Sequence, residues 1–351
     1  MPKKTTQFFI SANTECGFYS LYDNIFRNRD FDRIFVIHGG PGTGKSTLMR
    51  KVADEVRKRG ADCEEILCSS DPTSLDGLVI CQGGKKIGVL DGTPPHARII
   101  SEAGVKETLW NVCEFIRTEK LEKRQEEIKI FAKKKKDSYQ KAYVLLHAAG
   151  TVERYLTNEE AGYLKKEKLS QHLQRTAKGF RVTGEITERF IRAISSKGEY
   201  IISLSNVFFD NIVLLCGKKE SASVYLSHLS DSLREKNIAH TRFSSPLVPE
   251  FLDGIFINES STLYLAESLA PKDCAGKKIH MARFFEKAPK EDRRKLKRIY
   301  ADALEGACEA LKKAGQAHSA LEEIYVSAMD FKGMEKTKQK WIADLLSLLE
   351  K

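Results

Sequence analysis

Residues 38–47 read HGGPGTGKST. Four glycines, a lysine and two adjacent hydroxyls at that spacing suit one kind of chemistry, the cradling of a phosphate chain. Glycines let backbone N–H groups turn inward and approach phosphate oxygens with no side chain between them. Gly39-x-x-x-x-Gly44-Lys45-Ser46 matches the P-loop pattern in full. Gly39, Gly40, Pro41, Gly42, Thr43, Gly44, Lys45, Ser46 and Thr47 are therefore the expected nucleotide-binding residues. Lys45 is expected at the β- and γ-phosphates of ATP, and the Ser46 hydroxyl on Mg²⁺. The plain alternative is a glycine-rich turn with an incidental lysine.

Such a loop works only between a strand and a helix. Ile34 to Ile37 form a short apolar run that reads as a strand of a parallel sheet. After the loop, Leu48, Met49, Val52, Ala53 and Val56 fall on one helical face, and Gly60 marks the stop. The helix N-terminus adds free N–H groups and partial positive charge. The metal also needs a carboxylate. In KKIGVLDGTPPH (85–96), Ile87 to Leu90 read as a buried strand that ends on Asp91, the expected Walker B ligand acting through water. The competing reading of Asp91 is the cap of an Asp-Gly turn. Gly92 follows where many ATPases carry a catalytic glutamate, which points to slow hydrolysis. Asp71 follows an expected strand at 64–68 and is a candidate base for an acceptor hydroxyl, or else part of a Ser-Asp-Pro turn. His96 is a phosphate contact or a loop cap.

The sequence also repeats itself. PTSLDGLVI (72–80) matches PEFLDGIFI (249–257) at an offset of 177, and FISANTECGFYSL (9–21) meets FIRAISSKGEYII (190–202). Ile34 to Gly39 meets Ile212 to Gly217, and Asp91 falls opposite Glu267. Ordered matches with small gaps indicate a duplication. In the second copy Gly42, Gly44 and Lys45 become Glu220, Ser221 and Ala222, and Asp71 becomes Val248. The second loop is expected to be inactive. Its basic neighbours Lys218, Lys219 and Arg242 are candidates to complete or regulate the first site across an interface. Helix-rich tails follow each copy, and each carries an Ala-Gly pair that reads as the break of a helical hairpin.

The expected fold class is α/β, with tandem duplicated P-loop NTPase-like units, parallel-rich sheets and a helical hairpin arm after each. The expected boundaries are 1–182 for the active unit, with its arm at about 101–180, and 183–351 for the degenerate unit, with its arm at about 275–351. The 351 residues, 41% apolar and 30% charged, fit a globular chain with two full cores. No apolar run approaches the roughly 20 residues that span a bilayer. The eight cysteines show no metal-ligand spacing, and Cys63 and Cys68 read as buried free thiols, so a cytoplasmic location is expected. The net charge of +10 sits largely in helical stretches interspersed with acids, which favours solvated helix faces over a nucleic-acid patch.

The whole chain resembles a functionally uncharacterised bacterial family of tandem P-loop ATPases. The resemblance rests on FISANTECGFYSLYDNI, HGGPGTGKSTLMRKVADEVRKRG, SSDPTSLDG, VLDGTPPH and the duplicate half. It implies a working P-loop in both halves, from which this sequence departs at residues 217–223. The expected function is Mg²⁺-dependent ATP binding by the first half, as a slow ATPase or nucleotide switch. The alternatives are a small-molecule kinase with Asp71 as base, and a nucleotide-gated module that binds nucleic acid or protein.

Overall fold

The computed structural model describes residues 5–350 apart from His96, Phe208 and residues 287–292. Strands of the first half are β1 (Thr5–Phe8), β2 (Ser11–Thr14), β3 (Gly17–Ser20), β4 (Arg33–His38), β5 (Asp62–Leu67), β6 (Leu75–Gln82), β7 (Lys85–Asp91) and β8 (Glu107–Asn111). Those of the second are β9 (Ile186–Arg189), β10 (Arg192–Ser195), β11 (Gly198–Ile201), β12 (Asn211–Cys216), β13 (His240–Ser244), β14 (Leu252–Ile257), β15 (Thr262–Ala266) and β16 (Lys277–His280). The helices are α1 (Tyr22–Ile25), α2 (Lys45–Lys58), α3 (Thr118–Glu122), α4 (Gln125–Gly162), α5 (Lys166–Ala177), α6 (Lys219–Glu235), α7 (Arg293–Ala328) and α8 (Phe331–Leu349).

The first sheet runs β1-β5-β6-β7-β4-β8 and the second β9-β13-β14-β15-β12-β16, the same order strand for strand. In each sheet only the third strand, β6 or β14, lies antiparallel to its neighbours. Even the irregularities repeat. The register shifts between Ile66 and Leu67 in one sheet and between Phe243 and Ser244 in the other, 177 residues on. The central strand β4 buries Ile34, Phe35, Val36 and Ile37 on both faces, as a continuous apolar run in a covered sheet must.

The two units meet about a pseudo-two-fold axis. Phe9 and Phe190, equivalent residues, each donate an N–H to the other's carbonyl at 2.9 and 2.8 Å. Phe9 packs edge-on to Tyr200 and Phe190 edge-on to Tyr19, both at 6.1 Å. Glu15 N–H reaches the Leu247 carbonyl at 2.9 Å, and its counterpart Ser196 N–H reaches Ser70 at 3.1 Å. Residues of the same patch thus contact one another reciprocally, the mark of an isologous interface. A single apolar core continues from Ile34, Val36 and Leu48 through Phe8 and Phe9 to Phe190, Phe243 and Leu263.

The arms differ from the expected hairpins. No break occurs at either Ala-Gly pair, because α4 runs unbroken for 38 residues and α7 for 36. Instead the two long helices pair with each other across the units. Lys135 meets His318, Leu145 meets Gly306 and Glu160 meets Arg293, so they run antiparallel. The glycines serve close approach. A Cβ on Gly150 would collide with Glu15, and one on Gly315 would come within 2.8 Å of Ser196, the equivalent hairpin residue. Glycine inside a helix costs about 1 kcal/mol against alanine, a cost the docked β2–β3 and β10–β11 turns offset. Among the described residues no helix is long and apolar enough to cross a membrane. All eight cysteines are free; Cys63 is buried and Cys68 half-buried.

Candidate functional site

The loop of residues 39–44 joins β4 to α2, as the motif requires, and all five apolar residues expected on the buried face of α2 are buried. Gly42 and Gly44 adopt φ of +67° and +85°, a conformation that side-chain-bearing residues resist. The Thr43 hydroxyl ties the loop by donating to the Gly40 carbonyl at 2.8 Å. Lys45 Nζ donates to the carbonyls of Gly39 at 2.8 Å and Gly40 at 2.7 Å, and stands 3.6 Å from Asp91 Oδ2. β7 lies parallel beside β4 with Asp91 opposite Ile37, which brings the carboxylate to the mouth of the loop. Thr47 is exposed, and Pro41 borders an open cavity of about 500 Å³ between α4 and α7.

Burial pushes the Asp91 carboxyl above its usual range; Lys45 opposes this and the charge of Asp76 adds to it, with Thr93 donating to the carboxylate. A cation placed against Asp91 would relieve that cost. Asp76 is a buried carboxylate on β6 that sequence comparison assigns to the scaffold because Asp253 matches it. The structure separates the two. Asp253 is paired with the buried guanidinium of Arg192 at 2.5 Å, whereas the first unit has Ser11 at that position and Asp76 lies close enough to influence Asp91.

Ser46 Oγ accepts the Leu75 N–H at 3.0 Å, and its counterpart Ser223 Oγ accepts the Leu252 N–H at 3.2 Å. This bond is common scaffold, and it leaves the Ser46 hydroxyl proton and a lone pair for other partners. Asp71 is nearly half exposed; its carboxylate meets Lys197 Nζ of the β10–β11 turn at 2.9 Å and accepts from Thr73. Burial pushes its carboxyl up, but Lys197 and Thr73 outweigh that and hold it below its ordinary range. His96 lies outside the described residues.

Two expectations about the second unit are corrected. Sheet register sets Ala266, not Glu267, opposite Asp91: Leu215 pairs with Ala266 as Ile37 pairs with Asp91. The β14–β15 hairpin is shorter, with Gly254 paired to Leu265 where Gly77 is paired to Leu90, and this shifts the offset. Glu267 is only partly exposed and is bound to Lys278. Lys218, Lys219 and Arg242 do not reach the first loop either. Lys218 pairs with Glu160 at 2.8 Å and Lys219 with Glu153 at 3.0 Å, while Arg242 sits on β13 opposite Glu188.

Residues that sequence reasoning missed come from the arms. α7 lies against the loop so closely that a Cβ on Gly42 would stand 2.6 Å from the Glu322 carbonyl oxygen, and one on Gly40 would stand 3.0 Å from the Tyr325 ring. Burial and the charge of Asp71 raise the Glu322 carboxyl, against the nearby Gly42 amide and Lys45. His318 lies one turn earlier, 3.7 Å from Glu322 and 3.1 Å from Lys135 Nζ on α4. Burial and the neighbouring Lys135 and Lys45 charges push His318 down to about 4, so it is neutral at pH 7. Lys338 of α8, buried over the Phe331 ring, stands behind Gly44. In AKKKKDSYQK, Lys135 is the half-buried member of Lys133–Lys136 and with Lys136 lines the cavity between α4 and α7, which the charge run by itself does not reveal.

Among known proteins, residues 20–78 match the family model described as Nephrocystin 3, N-terminal. That stretch holds β4, the glycine loop, α2 and β5, and stops short of Asp91. No curated protein and no solved structure matches the chain.

Proposed function

We propose that the chain binds Mg²⁺–ATP on residues 39–47 and acts as a slow ATPase or nucleotide switch through the first unit alone. The observation that carries this is Lys45 Nζ standing 3.6 Å from Asp91 at the mouth of a strand–loop–helix whose Gly42 and Gly44 take positive φ. In this reading Lys45 holds the β- and γ-phosphates, Ser46 and Asp91 hold Mg²⁺, and the metal neutralises phosphate charge. Slow turnover is part of the reading, because a Cβ on Gly92 would collide with Val36 and His38 and no glutamate fits there. Membership of the tandem P-loop ATPase family and a cytoplasmic location belong to the same proposal.

The kinase reading has less support. A general base works best with a pKa near the operating pH, and Lys197 holds Asp71 in the opposite direction. For the nucleic-acid reading, Lys133, Lys134 and Lys136 are exposed on α4, whereas Lys135 is taken up in the α7 contact. Calorimetry with ATP and Mg²⁺ tests the proposal: one nucleotide per chain is expected, and none after Lys45→Ala. Binding of two, or of none, overturns it. Turnover measured with candidate acceptors and nucleic acids completes the test, since stimulation by an acceptor would favour the kinase.

A further inference from the structure

The cavity of about 500 Å³ between α4 and α7 has no part in the nucleotide reading, although Pro41 of the glycine loop borders it. Lys135, Lys136, Tyr139 and Tyr143 of α4 line one side and Tyr325 of α7 the other. The aromatic walls are held in place. Tyr139 OH donates to Ser70 Oγ at 2.9 Å and Tyr143 OH to Asn13 Oδ1 at 3.1 Å, and the two rings lie 6.0 Å apart at 27°. Tyr325 packs on Gly40, where a Cβ would stand 3.0 Å from its ring. This end of α7 is itself tied down: Arg117 N–H donates to the Ala328 carbonyl at 2.9 Å, Asp330 N–H to Phe115 at 2.8 Å and Lys120 Nζ to Ser327 at 2.9 Å. The cavity is therefore preformed, and its volume lies within the roughly 300–1,000 Å³ of small-molecule sites.

Its charge is one-sided. Among the described residues the lining holds two lysines and no carboxylate. Lys135 Nζ meets His318 Nδ1 at 3.1 Å, and that imidazole is neutral at pH 7. Burial pushes the Lys135 ammonium down; the Glu322 charge opposes this, but from beyond ion-pair distance. A half-buried cation with a neutral partner is complementary to an anion.

We propose that this cavity is a second ligand site, separate from the glycine loop, for a small molecule that carries a flat ring and an anionic group. The ring packs among Tyr139, Tyr143 and Tyr325, since aromatic faces and edges attract one another. The anionic group takes the ammonium protons of Lys135 that His318 leaves available, with Lys136 adding charge. The carbonyls of Gly39 and Gly40 hold Lys45 Nζ, so a ligand against Pro41 adjoins the loop where the outer phosphates are placed in the nucleotide reading. The site itself does not depend on that reading.

The probe is anilinonaphthalene sulfonate, a ringed anion whose emission reports transfer out of water. It is titrated into the full chain with and without Mg²⁺–ATP, and ATP binding is followed separately by heat. One probe per chain is expected, retained when ATP is present. Lys135→Met should weaken it about tenfold, the scale of one charged hydrogen bond. Ala132→Trp, at an exposed position of the lining, should block the cavity and abolish binding. Lys133→Met makes the same charge change at an exposed position outside the lining and should bind as wild type does. Absence of saturable binding to wild type overturns the proposal, as does wild-type affinity in either Lys135→Met or Ala132→Trp. Displacement of the probe by ATP overturns a separate site. Absence of ATP heat counts against the nucleotide reading alone.

Discussion

Between β4 and α2 the chain places six residues, 39–44; between β12 and α6 it places only Gly217 and Lys218. The strands on either side agree in order, direction and register. The Ser46–Leu75 hydrogen bond is reproduced by Ser223–Leu252. What differs is the turn: α6 starts three residues earlier than α2 relative to the shared framework, and its first turn consumes the positions that form the loop in the first unit. Glu220, Ser221 and Ser223 are buried there under α4. The sheet does not need the glycine loop; a nucleotide does. A fold can therefore keep its scaffold after losing its site, provided the vacated charges find partners, as Lys218 and Lys219 do with Glu160 and Glu153.

The contrast can be broken most directly at Lys45. Lys45→Ala should lower ATP turnover about 10³-fold, the scale of losing a cation at a phosphoryl-transfer site, whereas Lys219→Ala should leave turnover unchanged. A phosphate-release assay on both variants decides it, and comparable losses would erase the distinction between the loops.

The buried network around Glu160 carries the next largest effect. Glu160→Ala leaves Lys218 and Arg293 without their buried partner and should cost about 3 kcal/mol of stability in urea unfolding. Glu322→Ala should change stability by no more than about 1 kcal/mol, since that side chain is only half-buried. If the two variants unfold alike, the weight given to the buried Glu160 network is wrong.

A smaller effect is expected at the strand ends. Asp91→Asn should weaken Mg²⁺-dependent ATP binding by about thirtyfold, the worth of one charged contact. Glu267→Gln, partly exposed and paired with Lys278, should have no effect. Titrations with and without Mg²⁺ measure both, and equal effects would reject the assignment of Asp91.

The smallest effect is in the acid limb of stability. Burial pushes the Glu160 carboxyl up, but Lys218, Ser221 and Arg293 hold it below its ordinary range. Its stabilisation is present above the unfolded pKa and is lost as pH falls through the lowered folded value. Glu322 has the opposite sign: its pKa is raised, chiefly by burial, so its contribution is present below the unfolded pKa and is lost as pH rises through the folded one. Urea midpoints from neutral pH into the acid range should flatten in Glu160→Gln and not in Glu322→Gln.

Much of the first unit was legible along the chain. Local pattern carried the strand–loop–helix of β4 and α2, because an apolar run, four glycines and a helical stripe each act within a few residues. The duplication was legible by self-comparison, and the sheet orders bear it out. The long helices were misjudged at Gly150 and Gly315. Propensity reads a glycine as a break, whereas here each gives room to a turn more than 100 residues distant, at Glu15 or Ser196.

By itself, then, the sequence determined which residues form the glycine loop, that Asp91 ends a neighbouring strand, and that the second copy lacks the lysine. These are properties of short windows, where backbone geometry and hydrophobic period are set by adjacent residues. Only the tertiary structure decided that α7 lies on the first loop and α4 on the second, that Glu322 meets Gly42, and that Ala266 rather than Glu267 faces the place of Asp91. Those pairings join residues far apart in sequence. They follow from how two sheets share one core and how two helices share one seam, which no local window contains.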